Sequence, residues 1–98
     1  MDRPAELKRY DKVTQYMTFE LIGGKGKTTI WLVVNNKGGA ILGEISWYGN
    51  WRQYVLADID SDVVFNNGCL TEISNFLTQL NKKQIPLPQL PSEVTPRI

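Results

Sequence analysis

An inner strand is predicted by the run Thr28-Thr29-Ile30-Trp31-Leu32-Val33-Val34-Asn35. β-Branched and aromatic residues dominate it, and these residue types favour extended backbone. The run is apolar at both alternating sets of positions, whereas a strand with one face in water alternates between apolar and polar side chains. We therefore expect this strand to lie inside a sheet with both of its faces covered.

Three more strands are predicted around this run. Residues 16–22 alternate between apolar and polar side chains, and Gly23-Gly24 is expected to end that strand. Residues 41–48 alternate in the same way, and Gly49-Asn50 after them is typical of a two-residue hairpin turn. The fourth strand is then expected over residues 51–58.

A helix is predicted after residue 65, where the apolar period changes from two to between three and four. Asn66 or Asn67 is suited to cap its first turn, since an asparagine side chain can accept a hydrogen bond from an unpaired amide there. Lys82 and Lys83 lie where the helix dipole favours cations. The apolar stripe consists of Leu70, Ile73, Leu77 and Leu80.

The order of these segments predicts an α+β fold. Short connections favour a four-stranded antiparallel meander, followed by one C-terminal helix packed on one face of the sheet (ββββα). We expect a weakly ordered polar arm over residues 1–15, a single domain over residues 16–83, and a proline-rich extended tail over residues 84–98.

Composition narrows the classes of function. The 98 residues suit one small domain, and 11 basic against 10 acidic residues leave a net charge of +1. The chain has no histidine, a single cysteine and no apolar run long enough for a membrane helix. We therefore expect a cytoplasmic, non-catalytic protein with no cofactor, no metal and no membrane partner.

Three local patterns imitate catalytic or ion-binding motifs. Residues 23–28 are rich in glycine and lysine, but Leu21 stands where a phosphate-binding loop requires glycine, and a strand follows in place of a helix. The aspartates of residues 58–62 lack the glycine and glutamate of a calcium loop. Cys69 has apolar neighbours and no histidine to activate it, so we interpret it as a core residue.

A contact surface is predicted around the aromatic run of residues 47–54. In a meander, the first and third loops emerge at the same end of the sheet, so lysines of the first loop should lie near this run. Bases stack on aromatic and guanidinium faces while lysines meet phosphates. Core packing is the alternative, and we favour it for Trp47 and Trp51. The predicted binding residues are Lys25, Lys27, Tyr48, Asn50, Trp51, Arg52 and Tyr54.

One helix can cover only one face of such a sheet, although the inner strand is apolar on both. A second copy of the chain, a ligand strand or the terminal arms could cover the other face. We expect a homodimer.

A resemblance to small uncharacterised proteins of bacteria and their phages or mobile elements is carried by Leu42-Gly43-Glu44-Ile45-Ser46-Trp47-Tyr48-Gly49-Asn50-Trp51-Arg52-Gln53-Tyr54, with Val64-Phe65, Cys69-Leu70 and Ile73-Ser74-Asn75-Phe76-Leu77 further on. It implies no activity. In topology alone, four antiparallel strands and a helix also resemble the PUR and Whirly families and the DNA-binding domain of a transcriptional coactivator, which bind single-stranded nucleic acid as paired units. No sequence motif of those families is matched, so this second resemblance is one of fold.

Two functions follow as hypotheses. The first is binding of single-stranded DNA or RNA through the sheet and the aromatic and basic loops. The alternative is a phage- or mobile-element-encoded interaction module that binds or inhibits a host protein. The near-neutral charge favours the second and the topology favours the first, toward which we lean.

Overall fold

The computed structural model describes residues 3–85, with the backbone alone at Lys25. A short helix precedes a sheet, and a longer helix follows it. The elements are helix α1 (Ala5–Lys8), strands β1 (Lys12–Val13), β2 (Met17–Lys25), β3 (Thr28–Asn35), β4 (Ile41–Tyr48) and β5 (Gln53–Ala57), and helix α2 (Asn67–Asn81).

The described strands form one antiparallel sheet in the order β1-β2-β3-β4-β5. The predicted α+β class and the meander are confirmed. The predicted number of four strands is too low by one, because β1 pairs Lys12 with Phe19 and Val13 with Thr18. Two residues are too few to show an alternating pattern, so the sequence gives no strand signal there.

The segment predicted as a weakly ordered arm contains α1 and β1. Leu7 of α1 is buried in the main core. Arg3 forms an ion pair with Asp11 at 2.6 Å and donates a hydrogen bond to the Leu21 carbonyl at 2.7 Å. Residues 3–15 are thus part of the folded unit. The predicted tail lies outside the described residues from Pro86 onward.

Strand β2 continues through the glycines that were expected to end it. Its register with β3 shifts between Leu21 and Gly23, which leaves Ile22 as an extra residue. Such a bulge lets a strand keep pairing after its alternation is interrupted. Gly24 then pairs with Thr29, and the first hairpin closes at Lys25 and Thr28.

Helix α2 is held on the sheet by three buried aromatic rings. Phe76 stacks on Phe19 with ring centroids 4.1 Å apart, and it meets Trp31 edge-on at 5.0 Å. Burying a side chain of this size is worth roughly 1.5–3 kcal/mol relative to leaving it exposed. This stack therefore holds α2 against β2 and β3.

Both ends of α2 have defined partners. Asn66 is the N-cap, as predicted, and its side chain accepts a hydrogen bond from the Cys69 amide at 2.9 Å. At the other end, the Asn81 side chain accepts a hydrogen bond from the Tyr54 amide of β5 at 2.7 Å. The helix end is thereby joined to the outer strand of the sheet. Among residues 3–85, no helix has the length and apolar content needed to cross a bilayer.

Candidate functional site

The loop between β4 and β5 is a four-residue turn, so the predicted two-residue turn at Gly49-Asn50 is wrong. The Trp51 amide donates to the Tyr48 carbonyl and the Arg52 amide to the Gly49 carbonyl, both at 3.2 Å. Two-residue hairpin turns need positive φ at their first position. Here the positive φ is at Arg52 (53°), so the turn ends there and β5 begins at Gln53.

A groove of about 670 Å³ lies where this loop, the β2–β3 hairpin and the C-terminal end of α2 meet. Three cationic side chains line it together with one indole, and apolar side chains form part of its wall. We call it the basic groove. Its lining residues are Lys27, Thr28, Trp47, Arg52, Gln53, Tyr54, Leu80, Asn81, Lys83 and Ile85.

The meander brings two of the predicted cations into this groove. Lys27 lies in the Gly26-Lys27 turn between β2 and β3, where Gly26 has a φ of 60°. Arg52 ends the loop between β4 and β5. Because alternate connections of an antiparallel meander emerge at the same end, these two loops are neighbours, as the sequence predicted. The side chain of Lys25 lies outside what the structure describes.

The third cation, Lys83, was not among the predicted site residues. Its amide donates to the Leu80 carbonyl, and the next amide, of Gln84, donates to the Gln79 carbonyl. These two bonds form a Schellman motif, which turns the chain sharply after a helix. The turn brings Lys83 back to the groove. The sequence carries a signal for this residue, since Lys83 stands at the end of the predicted helix, but the helix dipole does not indicate where the chain turns after it.

Two of the three cations occupy left-handed backbone. Arg52 has a φ of 53° and Lys83 a φ of 56°. That conformation costs roughly 1–2 kcal/mol for a residue with a Cβ, and glycine usually takes both positions. The chain therefore keeps a cation at two places where glycine would be more stable.

The cations face no acidic side chain within the groove. Among its described lining residues there is no aspartate or glutamate. The ion pair that the structure describes, between Arg3 and Asp11, involves none of the groove cations. All three are exposed, so their charges are available to an anionic ligand.

Trp47 presents an aromatic surface to the groove, although we interpreted it as a core residue. Its side chain is 42% exposed and meets Tyr54 edge-on at 5.4 Å. Tyr54 is 6% exposed, and its hydroxyl accepts a hydrogen bond from the buried Thr29 amide at 3.1 Å. The surface contact role predicted for Tyr54 is therefore corrected: this residue supports the floor of the groove from the core.

The remaining predicted residues form a separate aromatic pair on the hairpin loop. Tyr48 and Trp51 meet edge-on at 5.0 Å, and Asn50 donates a hydrogen bond to the Tyr48 hydroxyl at 3.1 Å. Trp51 is 66% exposed, so the core role favoured for it is wrong. It lines a second groove of about 630 Å³ between β5 and α2. The predicted site thus divides into the basic groove and this exposed pair.

Comparison with known proteins gives one informative relative. No protein-family model matches the chain. No solved structure matches it either, so the topological resemblance to PUR and Whirly proteins stays a prediction. The uncharacterized 9.3 kDa protein of Acholeplasma phage L2 is 35% identical over 74 residues, which cover 74% of this chain and 94% of the phage protein. The chain therefore belongs to the same protein family as the uncharacterized 9.3 kDa protein of Acholeplasma phage L2.

Proposed function

We propose that this protein is a non-catalytic module that binds single-stranded nucleic acid in the basic groove. The observation that carries the proposal is the convergence of Lys27, Arg52 and Lys83 around the exposed indole of Trp47. Cations that meet phosphates and an aromatic face that stacks a base are the two parts of a sequence-tolerant single-strand site. The left-handed backbone at two of the cations supports a functional reason for their identity.

The ligand is single-stranded because its bases must be free to stack. In a duplex the base faces are covered by their neighbours, whereas an unpaired base can lie on Trp47 while the adjoining phosphates approach the cations. Each stacked base is worth about 1–3 kcal/mol. With one indole and three cations, the groove accommodates a short stretch of strand.

The test is fluorescence anisotropy of labelled single-stranded DNA and RNA oligonucleotides titrated with the protein. We expect a dissociation constant of roughly 1–100 µM at physiological salt, as for other sequence-independent sites. Arg52→Gln together with Lys83→Gln should weaken binding about tenfold or more, because two phosphate contacts are lost while side-chain length is largely kept. Trp47→Leu should weaken it at least fivefold through lost stacking, roughly the lower end of the stacking range.

The matched control is Lys37→Gln with Lys82→Gln. Both lysines are exposed, neither lines the basic groove, and the pair removes the same total charge. Equal losses in the two double variants would mean that binding follows net charge and not this site. Absence of binding at 100 µM protein in 50 mM salt would overturn the proposal.

A protein-interaction role in a phage or mobile element is the second candidate. The observation that favours it is the exposed Tyr48–Trp51 pair, since aromatic side chains of this kind anchor protein interfaces. The near-neutral net charge agrees with it. A host protein held by Trp51 should be released by Trp51→Ser and should respond little to salt, in contrast to an oligonucleotide.

A further inference from the structure

The sheet has a second face, opposite the one that α2 covers. Leu7 of α1 and Phe76 of α2 belong to a single core cluster, together with Trp31 of β3. Both helices therefore pack on the same side of the sheet. Successive side chains of a strand point to opposite sides, so the residues that alternate with this core point away from the helices. We call this second side the open face.

The open face carries exposed apolar side chains at one end. Register pairs Val13 with Thr18, Thr18 with Val34, and Val34 with Ile41, so the four residues form a row across the strands. Val13 is 69% exposed and Ile41 is 50% exposed. The row thus has an exposed apolar side chain at each end and half-buried Thr18 and Val34 between them.

The adjacent row of the open face places an apolar residue between two acids. Glu20 pairs with Leu32, and Leu32 pairs with Glu44. Neighbouring strands lie about 4.8 Å apart, so the two glutamates are separated by roughly 10 Å across Leu32. Among the described residues, Glu20 and Glu44 are the charged side chains of this row.

Neither carboxylate has an ion-pair partner among the described residues. The guanidinium of Arg3 lies near enough to Glu20 to interact with its charge, but it is bonded to Asp11. Partial burial, and secondarily the charge of Asp58, raise the pKa of Glu44 above its ordinary value of 4.5. Covering this row with apolar groups alone would desolvate two unpaired carboxylates, which is costly.

We propose that the open face binds a basic amphipathic helix of a protein partner, independently of the nucleic-acid site. A helix rises 1.5 Å per residue, so cations seven positions apart are about 10.5 Å apart on one side of it. That spacing matches the two glutamates, and leucines three and four positions along would then lie between them, above Leu32, whose side chain is 8% exposed.

A second copy of this chain fits the face less well. A twofold interface brings the same surface of both copies together. Glu20 and Glu44 of one copy would then be buried with the same two residues of the other, and four carboxylates would be desolvated without a cation. The charge of the face therefore selects a cationic partner over the homodimer expected from the sequence.

The experiment is NMR titration of the isotopically labelled full chain with a synthetic 18-residue helical peptide. The peptide carries leucines along one side, flanked by lysines at seven-residue spacing, and a control peptide replaces every lysine with glutamate. We expect amide shifts at Leu32, Val34, Ile41 and Glu44 with the lysine peptide and none with the glutamate peptide. Glu20→Gln with Glu44→Gln should weaken binding about tenfold, the effect of losing two partly exposed charge pairs.

Asp60→Asn with Asp62→Asn is the matched control, because it removes the same charge from exposed positions outside the open face. Its affinity for the lysine peptide should equal that of the wild type. Three outcomes would each overturn the proposal. They are amide shifts confined to the basic groove or the hairpin loop, equal binding of the two peptides, and a Glu20→Gln, Glu44→Gln variant that binds the lysine peptide as tightly as the wild type does. Sedimentation showing a dimer whose formation is abolished by Ile41→Lys would overturn it too.

Discussion

The hydroxyl of Tyr54 completes a buried chain of hydrogen bonds. The Trp31 indole donates to the Thr29 hydroxyl at 2.8 Å, and the Tyr54 oxygen lies 3.3 Å from that hydroxyl and accepts from the Thr29 amide. Thr29 is 1% exposed, so water cannot replace a lost partner. At the scale of single residues, this aromatic side chain is a structural support.

Tyr54→Phe should therefore destabilise the fold by about 1–2 kcal/mol, because a buried amide loses its acceptor. Urea unfolding followed by tryptophan fluorescence measures the change. Tyr48→Phe removes an equivalent hydroxyl from an exposed ring and should change stability by less than about 0.5 kcal/mol. Equal stabilities for wild type and Tyr54→Phe would show that the Thr29 amide has another acceptor.

Lys83→Gly should have opposite effects on stability and on binding. Glycine relieves the left-handed backbone after α2, so the free energy of unfolding should rise by about 1 kcal/mol. The same change removes a groove cation and should weaken oligonucleotide binding several-fold. Urea unfolding and anisotropy on one preparation measure both quantities.

Lys82→Gly is the control for that variant. Lys82 has a φ of −90° and does not line the groove, so glycine there should lower stability slightly and leave binding unchanged. A Lys83→Gly protein that is less stable than wild type would contradict the conformational argument. One that binds as tightly as wild type would exclude Lys83 from the site.

The direction and the surroundings of each side chain limited how well the exposure of single residues could be predicted from the sequence. Alternation correctly implied that Trp47 and Tyr48 lie on opposite faces, but it could not say which face α2 covers. Tyr54 and Trp47 pair across β4 and β5 and share one face, so alternation could not rank their exposure either, and they were assigned in the wrong order. Lys27 and Arg52 were placed correctly because their positions depend on loop order alone, which a meander fixes.

At the scale of elements, α2 depends on its first-turn cap. Asn66→Ala should cost about 1 kcal/mol, because the Cys69 amide loses its acceptor at an exposed helix end. Asn66→Asp should keep the cap and be neutral or slightly stabilising, since a negative charge there opposes the helix dipole. Thermal unfolding by circular dichroism compares the three proteins, and an alanine variant as stable as wild type would contradict the role of the cap.

The elements that could be predicted from the sequence are those with enough residues to show a repeating pattern. The inner strand β3 and helix α2 appear where predicted, since eight and fifteen residues give a clear pattern. Strand β1 has two residues, which are too few to show a pattern, and only its pairing with β2 identifies it as a strand. The bulge at Ile22 and the four-residue loop depend on backbone angles that residue types alone did not specify.

The whole molecule combines a net charge of +1 with a local group of three cations. We therefore expect the salt dependence of single-strand binding to come from these three cations and not from the net charge of the whole molecule. Release of about 0.7 counterion per contacted phosphate gives a slope near −2 for three contacts, or roughly fifteen- to twentyfold weaker binding between 50 and 200 mM salt.

Anisotropy titrations at four salt concentrations measure this slope. In the Arg52→Gln, Lys83→Gln double variant, the slope should fall toward roughly −0.7 as two of the three contacts are lost. A slope near zero in the wild type would place the contact on the aromatic pair instead. The net charge of the sequence could not reveal this cluster of cations. Residues 27, 52 and 83 become neighbours only through the meander and the turn after α2.

The bond between Asn81 and the Tyr54 amide has a consequence for how the protein behaves when it is abundant. An outer strand with free amides can recruit another chain and start a growing fibril. Here β5 has one of its outward amides already occupied by a helix side chain, and β1 at the opposite border offers two residues. Both borders of the sheet thus offer another chain fewer free backbone groups than a long bare strand would, which lowers the tendency to edge-to-edge growth while the open face and the basic groove stay accessible.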